Sequence, residues 1–341
     1  MKNVVGWRGQ VDAGFRPVFF EELDLLGLSD CLIYSITDRP LLWAKGRKYF
    51  YKGKEVMKAN GGNIFSRPQV VVKESGIEIV PEDNEKDISG IVDKTIDLIA
   101  STIEKHKNEY DAVVVSFSGG KDSTVMLDLV SRAVSPKDFI VVFNDTTMEL
   151  STTYEAVEHA KKRYSNLTFY TTMPEVNAVE AWRLYTPPNR FNRWCHMVYK
   201  SKPTMGLINN VVGNGRVLVV TGTRKSESSS RSKYSVLDEL KGRERQTNFN
   251  AILDWTAEDV WQYILQRGLF INKAYRYGMR RIGCALCPFL SEWDAFVLGH
   301  VFYEEIKPFL DILVEYVIAK GVKDVRDFIA DGKWRSKVLK P

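Results

Sequence analysis

Cysteine is scarce. The 341 residues contain four, Cys31, Cys195, Cys284 and Cys287, too few to staple a chain of this length as a disulfide scaffold. No apolar run approaches the roughly 18 residues that would span a bilayer. Met1 to Phe15 mixes Lys2, Arg8 and Asp12 and has no apolar stretch of the kind that opens a secretory signal. Charge of one sign is lacking too: 48 Lys and Arg against 43 Asp and Glu leave +5, which permits an anionic partner without demanding one. Internal repeats and low-complexity tracts are absent. Neither a secretory leader nor a membrane span is expected, and 44% hydrophobic residues supply the core that a disordered or fibrous chain lacks. The expectation is a cytoplasmic protein with no membrane partner, of about two domains by length.

What is present falls into three stretches. Residues 1–88 read as a small β-containing N-terminal module. Its short strands at Leu41 to Ala44, Lys48 to Tyr51 and Gln69 to Val72 are punctuated by Gly53 and Gly61-Gly62. The polar stretch Pro81 to Asp87 reads as a linker. Residues 89–290 open with Val92, Ile96, Ile99 and Ile103 on one helical face, in a helix ending before Tyr110. Apolar runs at Ala112 to Ser116, Phe139 to Phe143, Leu167 to Tyr170 and Arg216 to Val220 then alternate with helical patterns, one of them from Thr153 to Tyr164. That alternation predicts an α/β fold with a doubly wound, mostly parallel sheet covered on both faces. Residues 291–341 read as a helical C-terminal extension.

The chemistry starts at Ser116-Phe117-Ser118-Gly119-Gly120-Lys121-Asp122-Ser123-Thr124, where a buried strand hands over to a helix. Two glycines let the backbone approach a phosphate, and the helix start adds partial positive charge. Ser118, Ser123 and Thr124 offer hydroxyls and Lys121 offers charge. A Walker A loop would need Ser or Thr after Gly120-Lys121, where Asp122 stands, and a Gly-x-Gly-x-x-Gly is absent. Arg224 and Arg231 follow the run ending at Val220, so they are expected at the carboxyl edge of the same sheet, with guanidinium forks suited to phosphate or sulfate. Asp254 is expected to cap the helix that begins near Thr256. Cys284-Ala285-Leu286-Cys287 has ligand spacing for zinc or an iron–sulfur cluster, against the plainer reading of a reduced, metal-free pair. Cys31 reads as a small hydrophobe unless the N-terminal module folds over the site. The basic stretches Lys241 to Arg245 and Lys333 to Pro341 are open to RNA or DNA contact, or are simply solvated.

Ser118-Gly119-Gly120-Lys121-Asp122-Ser123 resembles the pyrophosphate loop of the PP-loop ATP pyrophosphatases, and the chain is most similar to their phosphoadenylylsulfate (PAPS) reductase-like branch. Further segments match in family order from about Tyr110 to Phe289. They are Phe143-Asn144-Asp145-Thr146 with Glu149; Arg193-Trp194-Cys195 with Lys200; Thr221-Gly222-Thr223-Arg224 with Glu227, Ser228 and Arg231; Asp254-Trp255-Thr256; and Ile282-Gly283-Cys284 with Cys287.

The resemblance implies an adenine nucleotide alpha hydrolase-like fold. It implies a nucleotide site of Ser116, Ser118, Gly119, Gly120, Asp122, Ser123, Asn144, Asp145, Gly222, Arg224 and Arg231, with Lys121, Asp122, Ser123 and Cys195 in catalysis. Asp122 and Ser123 are expected on a solvent-accessible loop. Cys195 is brought near Cys284 and Cys287, giving three ligands for a 4Fe-4S cluster with one non-cysteine site, or for zinc completed by another ligand.

Two reactions are implied. In one, ATP with Mg²⁺ adenylates an acceptor, pyrophosphate leaves, and a sulfur nucleophile displaces AMP, as in thiolation of tRNA, DNA or a small molecule. In the other, adenylyl sulfate or PAPS is reduced by a cysteine thiolate with release of sulfite. Assimilatory reductases carry that cysteine on a C-terminal tail, whereas no cysteine follows Cys287 here. A non-catalytic subunit that binds nucleotide or delivers a cluster is a third reading. A sulfur-donor protein, a tRNA or DNA acceptor and an oligomer stay open as partners.

Overall fold

The computed structural model describes residues 14–81, 86–239 and 245–335. The linker residues Glu82 to Glu85, the basic residues Lys241 to Glu244 and the tail from Ser336 lie outside them, as does the chain before Gly14.

The N-terminal region is richer in strands than its apolar runs suggest. In chain order it contains β1 (Phe15–Val18), α1 (Phe20–Leu25), β2 (Leu32–Tyr34), β3 (Leu42–Lys45), β4 (Lys48–Tyr51), β5 (Lys54–Asn60), β6 (Gln69–Val72) and β7 (Ile77–Ile79). Strands β1, β3, β4, β5 and β6 form an antiparallel sheet in that order, while β2 and β7 pair in parallel. Against the sheet lies a buried polar group: Arg16 of β1 donates to both carboxylate oxygens of Glu22 of α1 at 2.5 and 2.6 Å, and Tyr49 donates to Glu22 at 2.7 Å. Every charge there has a partner, the condition for burying it.

The second sheet is built from β8 (Ala112–Phe117), β9 (Ile140–Asn144), β10 (Phe169–Thr172), β11 (Val217–Val220), β12 (Leu237–Glu239) and β13 (Gln246–Phe249). Its order is β10-β9-β8-β11-β13-β12, parallel except for the edge strand β12. The helices are α2 (Ser89–His106), α3 (Lys121–Ala133), α4 (Ser151–Arg163), α5 (Ala178–Tyr185), α6 (Trp194–His196), α7 (Lys202–Val212), α8 (Ala257–Gln266), α9 (Lys273–Arg276), α10 (Glu292–Val301), α11 (Tyr303–Ala319) and α12 (Val325–Ala330). The predicted α/β class with a mostly parallel sheet is what the chain adopts. In α2, Val92, Ile99 and Ile103 are buried with Thr95, whose hydroxyl accepts the Trp255 indole N–H at 3.0 Å.

Topology decides where a ligand meets the sheet. The chain leaves β8 through α3 to β9 and through α4 to β10 on one side, then returns to β11 on the other. The direction reverses at β8, and parallel open sheets bind ligands outside the strand ends at such a point. Register brings the ends level: Val115 lies opposite Val220, and Phe117 opposite Phe143. The segments after β8, β9 and β11 therefore converge on one edge.

One apolar core runs through both sheets and the C-terminal helices. The N-terminal region is locked to α9 and the segment after it: Arg276 of α9 donates to Glu21 of α1 at 2.5 Å, and Arg280 donates to the Gly46 carbonyl between β3 and β4 at 3.0 Å. Trp293 of α10 holds the same segment by donating its indole N–H to the Gly278 carbonyl at 2.9 Å. A Cβ on Gly278 would lie 2.6 Å from the Glu22 carboxyl carbon, so glycine is required there. Cys31 is half-buried against this core, as a small hydrophobe would be. Asp254 is not the helix cap. Thr256 caps α8, its hydroxyl accepting the Asp259 N–H at 3.1 Å while Asp259 accepts the Thr256 N–H at 2.9 Å. Asp254 instead pairs with Lys225 at 2.8 Å.

Candidate functional site

At the switch point lies a cavity of about 480 Å³. Ser116, Ser118, Gly120, Lys121, Asp122 and Ser123 line it from the β8 side, Asn144 and Glu149 from β9, and Gly222, Arg224 and Arg231 from β11. Lys200, Arg280, Arg281, Cys284 and Cys287 complete it. Six Lys and Arg against four Asp and Glu make the wall basic overall. A cleft of about 570 Å³ lies between the N-terminal sheet and α8 and α9, beside Trp43 and Phe270. Its Arg276 and Lys273 are already paired with Glu21 and Glu155. The smaller cavity is the one lined by the Ser118 to Ser123 loop.

The loop is held from within. Ser123 accepts the Ser118 N–H at 3.1 Å and donates to the Gly120 carbonyl at 2.9 Å, where Thr124 also donates at 3.0 Å. Ser123 is therefore buried, which corrects the expectation of an open loop. Asp122 is not open either: Lys121 Nζ lies 2.7 Å from one carboxylate oxygen and Arg224 Nε 2.7 Å from the other. Burial alone would raise the Asp122 carboxyl, but Lys121 and Arg224 outweigh it and hold the group below the usual carboxylate range. Burial opposes the Lys121 cation, and Asp122 more than restores it. Two cations sharing one carboxylate leave a net positive charge at a helix start, the electrostatics an anion needs.

Gly222 makes this closeness feasible: a Cβ there would sit 2.7 Å from the Asp122 carbonyl carbon and oxygen. Arg224 also donates to Ser226 at 2.9 Å, and Arg231 pairs with Glu227. The Asn144 amide oxygen accepts the Thr172 and Thr204 hydroxyls at 2.5 and 2.6 Å, which leaves its amide nitrogen as the group that can meet a ligand.

Not every predicted residue reaches the cavity. Asp145 accepts the Thr147 N–H at 2.7 Å and the Tyr154 hydroxyl at 2.8 Å, stabilising the turn after β9 rather than lining the site. Gly119 faces Thr153 of α4. Cys195 is half-buried and does not line the cavity, its thiol pushed up first by burial and then by Cys287. Tyr275, absent from the sequence-based set, is buried and lines the cavity, and its hydroxyl accepts the Lys121 backbone N–H at 3.1 Å. Nothing near Asn272-Lys273-Ala274-Tyr275 marks it in the sequence, because its partner lies 154 positions away.

Cys284 and Cys287 line the cavity as well. The Cys284 sulfur is 3.6 Å from the Thr146 hydroxyl and 4.0 Å from Glu149. Burial pushes this thiol up to about 12, with Lys200 opposing. Glu149 is likewise raised by burial, and Cys284 and Glu149 in turn strengthen the Lys200 cation. Cys195, Cys284 and Cys287 thus share a neighbourhood. Among the described residues, however, no group of three or more His, Cys, Asp or Glu is arranged to hold a metal ion. Neither the expected 4Fe-4S cluster nor zinc finds a ligand set in this arrangement, so no step is routed through either.

The phosphoadenosine phosphosulfate reductase domain matches residues 112–289, just over half of the chain and all of the cavity-bearing sheet up to Cys287 and Phe289. The chain belongs to this family.

Within the PAPS reductase family its relatives divide. An uncharacterised protein of Methanocaldococcus jannaschii is 30% identical over 85% of this chain and 68% of its own length. A second from the same organism is 30% identical over 85% of this chain, which spans 57% of it. The adenosine 5'-phosphosulfate reductase of Staphylococcus epidermidis is 27% identical over 60% of this chain and 80% of its own. Among solved structures, the phosphoadenylyl-sulfate reductase of Candida auris aligns at 17% identity with TM-score 0.44, covering 58% of this chain and 96% of that one. No described helix is long and apolar enough to cross a membrane.

Proposed function

We propose that this PAPS reductase-family chain is an adenylating sulfurtransferase. ATP binds with its phosphates on the Ser118 to Ser123 loop, and an acceptor oxygen attacks the α-phosphorus. The bond from that phosphorus to the β-phosphate oxygen breaks, and pyrophosphate leaves toward Lys121 and Arg224. A sulfur nucleophile then attacks the adenylated carbon of the acceptor and displaces AMP. The loop N–H groups and the two cations oppose the negative charge that grows on the leaving pyrophosphate. Mg²⁺, when bound to the triphosphate, supplies further charge neutralisation. Lys121, Asp122 and Ser123 act at the phosphates. Cys195, Cys284 and Cys287 belong to the sulfur end, with Lys200 as their nearest cation. Residues 1–88 serve as an N-terminal module, 89–290 as the nucleotide domain and 291–341 as a C-terminal extension.

One observation carries this reading: the Ser118 to Ser123 loop with its two-cation clamp lines the same cavity as Cys284, Cys287 and Lys200. The second reading, reduction of adenylyl sulfate or PAPS to sulfite, draws support from the named reductases among the relatives. It requires a thiolate nucleophile, and the Cys284 thiol that lines the cavity is raised by burial, which disfavours its ionised form. A non-catalytic nucleotide-binding or cluster-delivering subunit is the third reading.

Parallel assays separate them. Pyrophosphate release from ATP, raised by an acceptor and a sulfide source, is expected. Sulfite release from adenylyl sulfate with a dithiol reductant, and none of the first activity, would establish the reductase. Nucleotide binding with neither product would leave the binding subunit.

A further inference from the structure

Between Ala181 and Pro203 the chain has five basic residues, Arg183, Arg190, Arg193, Lys200 and Lys202, and no Asp or Glu. The same stretch carries five aromatics, Trp182, Tyr185, Phe191, Trp194 and Tyr199. Trp182 and Tyr199 are buried and anchor it, but Phe191 is 72% exposed and Tyr185 45%. Arg183 and Lys202 pair with Glu315 and Glu175, and Lys200 lines the cavity, so the cations that stand among the exposed rings are Arg190 and Arg193. One exposed aromatic is ordinary; a run of them with arginines between marks a surface that meets something.

The surface is preformed and leads to the cavity. The Asn189 side chain accepts the Phe191 and Asn192 N–H groups at 2.9 and 2.8 Å, fixing the loop that presents Phe191. Arg190 donates to the Pro288 carbonyl at 3.0 Å, tying this loop to the segment after Cys287. The Tyr185 and Trp194 rings lie 5.2 Å apart, with Trp194 held by its indole N–H on the Thr186 carbonyl at 3.2 Å. The Arg193 guanidinium sits 4.7 Å over the Phe289 ring, which is 42% exposed and forms part of the cavity mouth beside Cys287.

We propose that this face, from Tyr185 through Phe191 and Arg193 to Phe289, docks single-stranded nucleic acid and presents one of its bases to the cavity. Aromatic faces accept unpaired bases of any sequence, and arginines between them take the phosphates. A protein partner fits less well, because the core of a protein interface is depleted in charge whereas here arginines interleave with the rings. The proposal names the acceptor class for the sulfur transfer above and rests on that reading for its chemistry, though not for binding.

The test is fluorescence anisotropy on the whole chain with labelled 15-mer single-stranded RNA, single-stranded DNA of the same sequence, and the corresponding duplex, without ATP. Single strands are expected to bind more tightly than duplex, and the preference between RNA and DNA identifies the polymer. Phe191→Ala should weaken single-strand binding at least about fivefold, the lower end for one stacked base. Arg193→Ala should lower the slope of log affinity on log salt by about 0.7. Both side chains are exposed, and a thermal melt verifies the fold. Because nucleotide is absent, failure here leaves the pyrophosphate-release assay standing, and failure of that assay leaves this result standing. Absence of single-strand binding, binding unchanged in both variants, or equal affinity for duplex overturns the proposal.

Discussion

Replacing Asp122 with asparagine keeps the side chain's shape and removes the one negative charge that Lys121 and Arg224 share. Removing one partner from a buried ion pair costs about 3–5 kcal/mol. The amide oxygen of the variant still accepts a hydrogen bond from one cation, which offsets about 1.5–3 kcal/mol. The net loss at neutral pH is therefore about 2 kcal/mol. Its pH dependence has a definite sign. The Asp122 carboxyl is held below its ordinary range in the folded chain. It therefore adds stability above the unfolded value of about 4, and that stability fades as pH falls through the lower folded value. The gap between wild type and variant should be widest near pH 7 and should narrow in strong acid. Inorganic pyrophosphate adds a second signature. With the competing carboxylate charge gone, the same anion should stabilise the variant more than the wild type; a tenfold tighter site corresponds to about 1.4 kcal/mol at saturation. Urea unfolding followed by tryptophan fluorescence, with and without pyrophosphate, measures all three; urea leaves the ion pairs unscreened. A gap under about 0.5 kcal/mol at pH 7, against the loss reckoned above, or one that persists unchanged in acid, would refute this account of the clamp.

Two further outcomes follow from the same cavity. Gly222→Ala places a methyl group against the Asp122 backbone at 2.7 Å, so it should displace the loop and weaken ATP binding at least tenfold, about 1.4 kcal/mol, by equilibrium dialysis; unchanged affinity would mean the loop and the β11 turn are not in register during binding. Cys284, raised to about 12 by burial, should react with iodoacetamide at pH 7.5 at least about a hundredfold more slowly than a free thiol, whose pKa is near 8.5. Mass spectrometry of the tryptic peptide measures the rate. Labelling as fast as free thiol would place Cys284 in a more open setting.

The parallel sheet was legible because its inner strands are buried on both faces and read as unbroken apolar runs, as Val217 to Val220 do. Gln246 to Phe249 escaped notice for the opposite reason. Only Thr247 and Phe249 of β13 are buried, so it has no run to detect, and β12 is a three-residue edge strand. The Ser118 to Ser123 segment stood out through glycine and hydroxyl residues at a strand–helix junction, and it does line a cavity. What the loop needs from elsewhere was silent: Tyr275 on the Lys121 N–H, and the Thr172 and Thr204 hydroxyls on Asn144, are meetings of segments far apart in the chain. The sequence offers both Asp254 and Thr256 before α8, but Thr256 with Asp259 three residues on forms the capping box, and Asp254 pairs with Lys225 instead. Side-chain direction misled at Asp122, since a polar residue on a loop reads as open until its two cationic partners are known.

The absence of a side chain at Gly278 has a bearing on inheritance. The Glu22 carboxylate of α1, held by Arg16 and Tyr49 of the N-terminal sheet, occupies the space a Cβ would fill, beside the segment that runs on to Arg280, Ile282 and Cys284. A recombination event that exchanged the first 80 or so residues for another module would have to supply a carboxylate of the same reach, or leave a gap beside the segment that lines the cavity. The two sheets are therefore expected to descend together, and the ancestry of one can be traced through the other.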